Sequence, residues 1–219
     1  MLKSAERMQR IAPFYVMDLL ARARKLEASG QRIVHMEIGE PDFPTPAPIV
    51  DAGIAALQSG KTHYTPAVGL TALREAIAEY YHKTYQSDID AQNIVVTMGS
   101  SGALQLVVSI LVNPGDEILL ADPGYPCNKH FVQLAGGEPR FMPLSQSNNF
   151  ATSLEDVKTH WSDKTRAVLL ASPANPTGEV IDYEVLLDIA KFARRGRRCT
   201  PTGTSRRSTP SRRPRRTRR

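Results

Sequence analysis

The sequence predicts an α/β protein, with a mostly parallel sheet covered by helices on both faces and left incomplete towards the C-terminus. Three observations carry that expectation. From residue 94 onward, short runs rich in Val, Ile and Leu alternate with stretches of helical spacing, the pattern of parallel strands and their crossover helices. The run Arg166-Ala167-Val168-Leu169-Leu170-Ala171 is nearly continuous in apolar residues, as a strand buried on both faces should be. The runs end in clusters of Gly, Pro, Asn and Asp that suit turns. A chain of 219 residues can bury one sizeable core.

In chain order, Phe14, Met17, Leu20 and Ala21 recur at helical spacing and Ala28-Ser29-Gly30 stops the turn, so a helix is expected over 13–29. A short strand is expected at 33–38, followed by Gly39-Glu40-Pro41-Asp42-Phe43-Pro44-Thr45-Pro46, whose prolines exclude regular structure. Residues 47–58 read as a helix ended by Ser59-Gly60. After a loop, residues 70–85 form an amphipathic helix with Leu73, Ile77, Tyr80 and Tyr81 on one face and Arg74, Glu75, Glu79 and Lys83 on the other. Strands at 94–98, 117–121, 139–143 and 166–171 then alternate with helices at 103–111, 128–134, 154–160 and 183–192. Gly99-Ser100-Ser101-Gly102 and Asp122-Pro123-Gly124-Tyr125-Pro126 are turns between them. From residue 194 the chain holds almost nothing but Arg, Ser, Thr, Pro and Gly. Such a segment is expected to be disordered, and its composition fits a coding frame read out of phase.

The net charge of +6 comes from that tail. Twelve of the 28 basic residues are arginines between Arg194 and Arg219, where there is no acid, which leaves 16 basic against 22 acidic residues elsewhere. A mildly acidic body has no built-in reason to seek nucleic acid. A non-catalytic protein with a nucleic-acid-binding arm is the alternative from another class, and it predicts steeply salt-dependent binding. Cys127 and Cys199 are too few for a disulfide framework, so a reducing compartment, and with it a cytoplasmic location, is expected. Residues 1–20 carry charges and a proline where a signal peptide needs an apolar run, and the apolar segment 104–112 is too short to cross a bilayer.

Three turns carry the chemistry. Gly99-Ser100-Ser101-Gly102 lies where a helix begins, so free backbone N–H groups, the helix dipole and two hydroxyls collect there and suit a phosphate. A helix cap explains the same serines. Tyr125 is aimed from a neighbouring strand end and can stack on a flat heterocycle. In Ser172-Pro173-Ala174-Asn175-Pro176-Thr177-Gly178 the prolines restrict the backbone on both sides of Asn175, which aims its amide to donate to a phenolate or carboxylate oxygen. Together the three suit a phosphorylated planar aromatic ligand.

These motifs, with Gly39-Glu40-Pro41-Asp42-Phe43, His63-Tyr64-Thr65-Pro66 and Asn113-Pro114-Gly115-Asp116 in the same order, resemble the N-terminal half of class I/II aminotransferases. Those are pyridoxal 5'-phosphate enzymes of the aspartate aminotransferase fold. The resemblance covers about residues 11–192. It implies that Ser100 and Ser101 hold the cofactor phosphate, Tyr125 stacks on the pyridine ring, and Asn175 bonds the ring oxygen and places the substrate carboxylate. Tyr64 would reach the phosphate of a neighbouring subunit in a homodimer, and the backbone of Gly39 would lie beside the substrate carboxylate. It further implies an N-terminal arm and part of a small domain at 1–45, a partial large domain at 46–193 and the tail at 194–219. The substrates would be an amino acid and a 2-oxo acid; a lyase or synthase of the same fold would share every motif seen here.

The family also uses a Schiff-base lysine, an aspartate at the pyridine nitrogen and a carboxylate-binding arginine, all beyond the matched portion. After Gly178 the one lysine is Lys191, on a helix expected to cover the sheet. No catalytic residue is therefore assigned, and the chain reads as a truncated or frame-disrupted copy that does not transaminate alone.

Overall fold

A computed structural model describes residues 3–196. Seven helices and three strands follow one another as α1 (Tyr15–Ala28), α2 (Ala47–Gln58), α3 (Thr71–Tyr85), α4 (Gly99–Leu111), β1 (Glu117–Asp122), α5 (Asn128–Leu134), β2 (Glu138–Pro143), α6 (Leu154–His160), β3 (Thr165–Leu169) and α7 (Tyr183–Gly196). A 3-10 turn, Glu6–Arg10, precedes them.

The sheet is parallel throughout, with strand order β2-β1-β3. β1 bonds on both sides, so its side chains alternate between two buried faces. Ile118 and Leu120 pack with Val108 and Val112 of the α4 end and Val132 of α5. Leu119 points the other way, onto Met142, Val157 of α6 and Ile189 of α7. Full burial of one such leucine contributes about 1.5–3 kcal/mol, which is why the central strand can be Ile-Leu-Leu without polar relief. The crossover helices α5 and α6 lie on opposite faces, so the mostly parallel, doubly covered α/β architecture holds.

Strand order reverses at β1. The chain leaves β1 for β2 on one side and returns to β3 on the other. Open α/β sheets bind ligands outside the carboxyl ends of the strands at such a reversal.

Two expected strands form no ladder. Residues 33–38 take no regular structure and bend at Glu37, with Val34 and Met36 largely exposed. Residues 94–98 are tied to distant segments by Val96 N–H donating to the Val68 carbonyl at 3.0 Å and by Arg74 Nε donating to the Ile94 carbonyl at 2.8 Å. Their apolar, β-branched residues favour extended backbone, but a strand also needs a neighbour to complete its hydrogen bonds. The expected turn at Gly99-Ser100-Ser101-Gly102 is the first turn of α4, and Met98, not a serine, stands at its N-cap. α7 continues through Gly196, past its expected end at 192. The rest of the Arg-rich segment, residues 197–219, lies outside the described residues, as do the expectations of disorder and of nucleic-acid binding attached to it.

No residue of α1, α2 or α3 is buried. No helix is long and apolar enough to cross a membrane among the described residues.

Candidate active site

The loop after β1 and the loop after β3 leave the carboxyl edge of the sheet side by side. The first is closed by Leu144 N–H donating to the Asp122 carbonyl at 2.7 Å and by Asn128 N–H donating to the Tyr125 carbonyl at 3.1 Å. A Cβ on Gly124 would lie 2.4 Å from the Ala121 carbonyl oxygen, so no larger residue fits where the chain doubles back. The second loop is closed by Ala174 N–H to the Glu179 carbonyl and Gly178 N–H to the Ala174 carbonyl, both 2.7 Å, and by Ile181 N–H to Ser172 Oγ at 3.0 Å. Gly178 takes φ +77°, which favours glycine. The peptide bonds preceding Pro123, Pro173 and Pro176 are cis.

Tyr125 and Asn175 line one cavity between these loops, with Asn128, Phe150, Thr152 and Thr177. Thr152 is buried, whereas Asn175 is exposed. Hydrogen bonding by Cys127, and then burial, push the Tyr125 hydroxyl above its ordinary value. The phenol is therefore neutral near pH 7, an uncharged aromatic face rather than a phenolate.

Ser100 and Ser101 occupy the exposed N-terminal turn of α4 and do not line this cavity. Connectivity nevertheless puts them at the same end of the molecule. Val112, just past α4, lies beside Gly137 together with the Asp116 carbonyl and Val132, at the amino ends of β1 and β2, so α4 runs antiparallel to β1 and begins towards the carboxyl edge. Tyr64 is fully exposed on a separate surface with Thr62 and His63. Gly39 lies in the irregular segment before α2, where a Cβ would meet nothing within 4 Å. Neither reaches the cavity within this chain.

Phe150 and Thr152 were not readable as cavity residues from their motifs. Asn149 and Phe150 have φ of 55° and 59°. Left-handed backbone is ordinary for Asn but uncommon for a bulky aromatic, and residues so held gather at functional sites. Asn149 offered a faint signal; Phe150 offered none.

The family model described as aminotransferase class I and II matches residues 31–199. This chain belongs to that family. The chain is 45% identical over 181 residues to the (5-formylfuran-3-yl)methyl phosphate transaminase of Methanocaldococcus jannaschii, covering 83% of this chain and 47% of that protein. It is 36% identical over 189 residues to an aspartate aminotransferase of Bacillus sp. strain YM-2, covering 86% of this chain and 48% of that protein. In three dimensions it matches the aspartate aminotransferase of Thermus thermophilus with maleate at a TM-score of 0.85 and 31% identity, over 90% of this chain and 52% of that one. The chain spans about half the length of the curated relatives it matches.

The donor set suits a planar heterocycle bearing an oxygen: an aromatic face, a carboxamide and a loop glycine that allows no side chain. The enclosed volume of about 40 Å³ falls well short of ligand pockets, which run from about 300 Å³. Among the described residues no cluster of His, Cys, Asp and Glu suits a metal.

Proposed function

We propose that this aminotransferase chain carries one wall of a pyridoxal 5'-phosphate site that serves amino transfer between an amino acid and a 2-oxo acid. The observation that carries the reading is the meeting of Tyr125 and Asn175 on one cavity at the strand-order reversal. When bound, the cofactor supplies the electron sink for bond breaking at the substrate Cα. Tyr125 offers its face to the pyridine ring, and Asn175 donates its amide to the ring oxygen and to the substrate carboxylate. The first N–H groups of α4, with the Ser100 and Ser101 hydroxyls, hold the phosphate at the positive end of the helix dipole. Tyr64, fully exposed in one chain, serves a phosphate on a second copy, and Gly39 leaves backbone free beside the substrate carboxylate. The transaminases among the relatives favour amino transfer over the lyase or synthase reading.

The division into an arm and small-domain part at 1–45, a partial large domain at 46–193 and a tail at 194–219 belongs to the same proposal. So does inactivity of the chain by itself, because no lysine of the described residues lines the Tyr125–Asn175 cavity. Pyridoxal phosphate is expected to bind reversibly and to be weakened by Asn175→Ala. Borohydride reduction followed by peptide mapping is expected to find no stoichiometric lysine adduct. One lysine labelled to one equivalent would overturn the inactivity, and binding indifferent to Asn175→Ala would overturn the site.

A further inference from the structure

We infer that Phe14 is a positioning residue for the Tyr125 ring, held there by a strap of residues 10–14 laid along α5. The inference deepens the site reading above and rests on it for the ligand consequence alone.

The strap is pinned at both ends. At one end the Arg10 guanidinium donates Nη1 and Nη2 to the two carboxylate oxygens of Glu138, at 2.7 and 2.5 Å. Two parallel bonds to one carboxylate define an orientation as well as a contact. At the other end the Phe14 ring meets the Tyr125 ring edge-on, centroids 6.4 Å apart and planes 68° from parallel, within the favourable range for such pairs. Between the pins the strap stands off: a cavity of about 110 Å³ separates Ala12 and Pro13 from Pro126, Lys129 and His130.

Lengths agree with this arrangement. Glu138 adjoins the C-terminal end of α5 and Tyr125 its N-terminal end. Seven helical residues rise about 10 Å, and the four extended steps from Arg10 to Phe14 span about 13–14 Å. The segment is long enough to run the length of α5, so one short stretch carries both contacts and loosening it at Arg10 is expected to reach Phe14. The Arg10–Glu138 pair is itself half exposed, and exposed pairs stabilise little; its effect is where it sends the chain. Tyr125 therefore has an aromatic edge on the strap side and the Asn175 cavity beyond, and the strap limits the tilt of the face offered to a planar ligand.

The full chain labelled with 3-fluorotyrosine tests this by fluorine NMR, with the Tyr125 resonance assigned by Tyr125→Phe. Phe14→Leu is expected to shift that resonance through loss of the ring-current field and to leave the exposed Tyr64 resonance in place. Arg10→Met should move it in the same direction, and Phe14→Trp should restore much of the effect. Titration with pyridoxal phosphate should then show about 2- to 10-fold weaker binding in Phe14→Leu, the equivalent of one aromatic pair. A Tyr125 resonance indifferent to Phe14→Leu overturns the strap whether or not ligand binds. A shifted resonance with unchanged affinity overturns the positioning role. A shifted resonance in a chain that never binds pyridoxal phosphate supports the strap and overturns the cofactor reading instead.

Discussion

A methyl group on Gly124 would sit 2.4 Å from the Ala121 carbonyl oxygen, against backbone that cannot swing away as a side chain can. Gly124→Ala is expected to cost about 1–3 kcal/mol, as overpacking does, and to displace Tyr125; urea unfolding measures the first and the Tyr125 resonance the second. Asp116 sets a different constraint. Its carboxylate accepts from the Asn113 backbone N–H and pairs with Arg166 Nε, both at 2.9 Å. The Asn113 bond first, and then Arg166, hold the acid below its ordinary value of 3.8 against the opposing effect of burial. A depressed acid contributes stability above its unfolded value and loses it as pH falls through the folded one. Asp116→Asn should therefore cost about 1–3 kcal/mol at neutral pH, and the gap from wild type should close below about pH 3.8. A gap independent of pH would mean that shape rather than charge is responsible.

Elements with local stop signals ended where their residues predicted. α2, α5 and α6 have the expected bounds, 47–58, 128–134 and 154–160. In α6 the reason is a capping box: Ser153 Oγ accepts from Asp156 N–H at 3.1 Å, and Asp156 Oδ2 accepts from Ser153 N–H at 2.9 Å. Ser153→Ala should lower stability by about 1 kcal/mol, with thermal melting as the measure and Ser153→Asn as the conservative control. The strand readings at 33–38 and 94–98 lacked such support. Both have strand-forming residues, yet no local signal says which other segment completes the ladder.

Across the whole molecule the core is one-sided. Among the described residues every buried apolar residue belongs to the part from Val108 onward, while Ile49, Val50, Ile54 and Leu57 of α2 and Leu106, Val107 and Ile110 of α4 are exposed. Apolar surface of that extent drives association. The chain is expected to self-associate in sedimentation experiments at micromolar concentration and to bind an apolar dye. A monomer that leaves the dye dark would contradict that expectation.

The residues alone determined the kinds of chemistry on offer: an amide aimed from a proline-rich loop, a tyrosine at a strand end and two serines at a helix start. They also determined the α/β class, because burial on one or two faces writes its period into a strand. Tertiary structure decided which of these groups share a cavity. Asn175 and Tyr125 lie fifty residues apart and meet because β3 returns to the far side of β1, a choice made by long-range packing of Leu119, Met142, Val157 and Ile189. Phe150 and Thr152 reached the cavity, and Phe14 reached Tyr125, by the same route, for contacts between distant segments leave no periodic mark on either one.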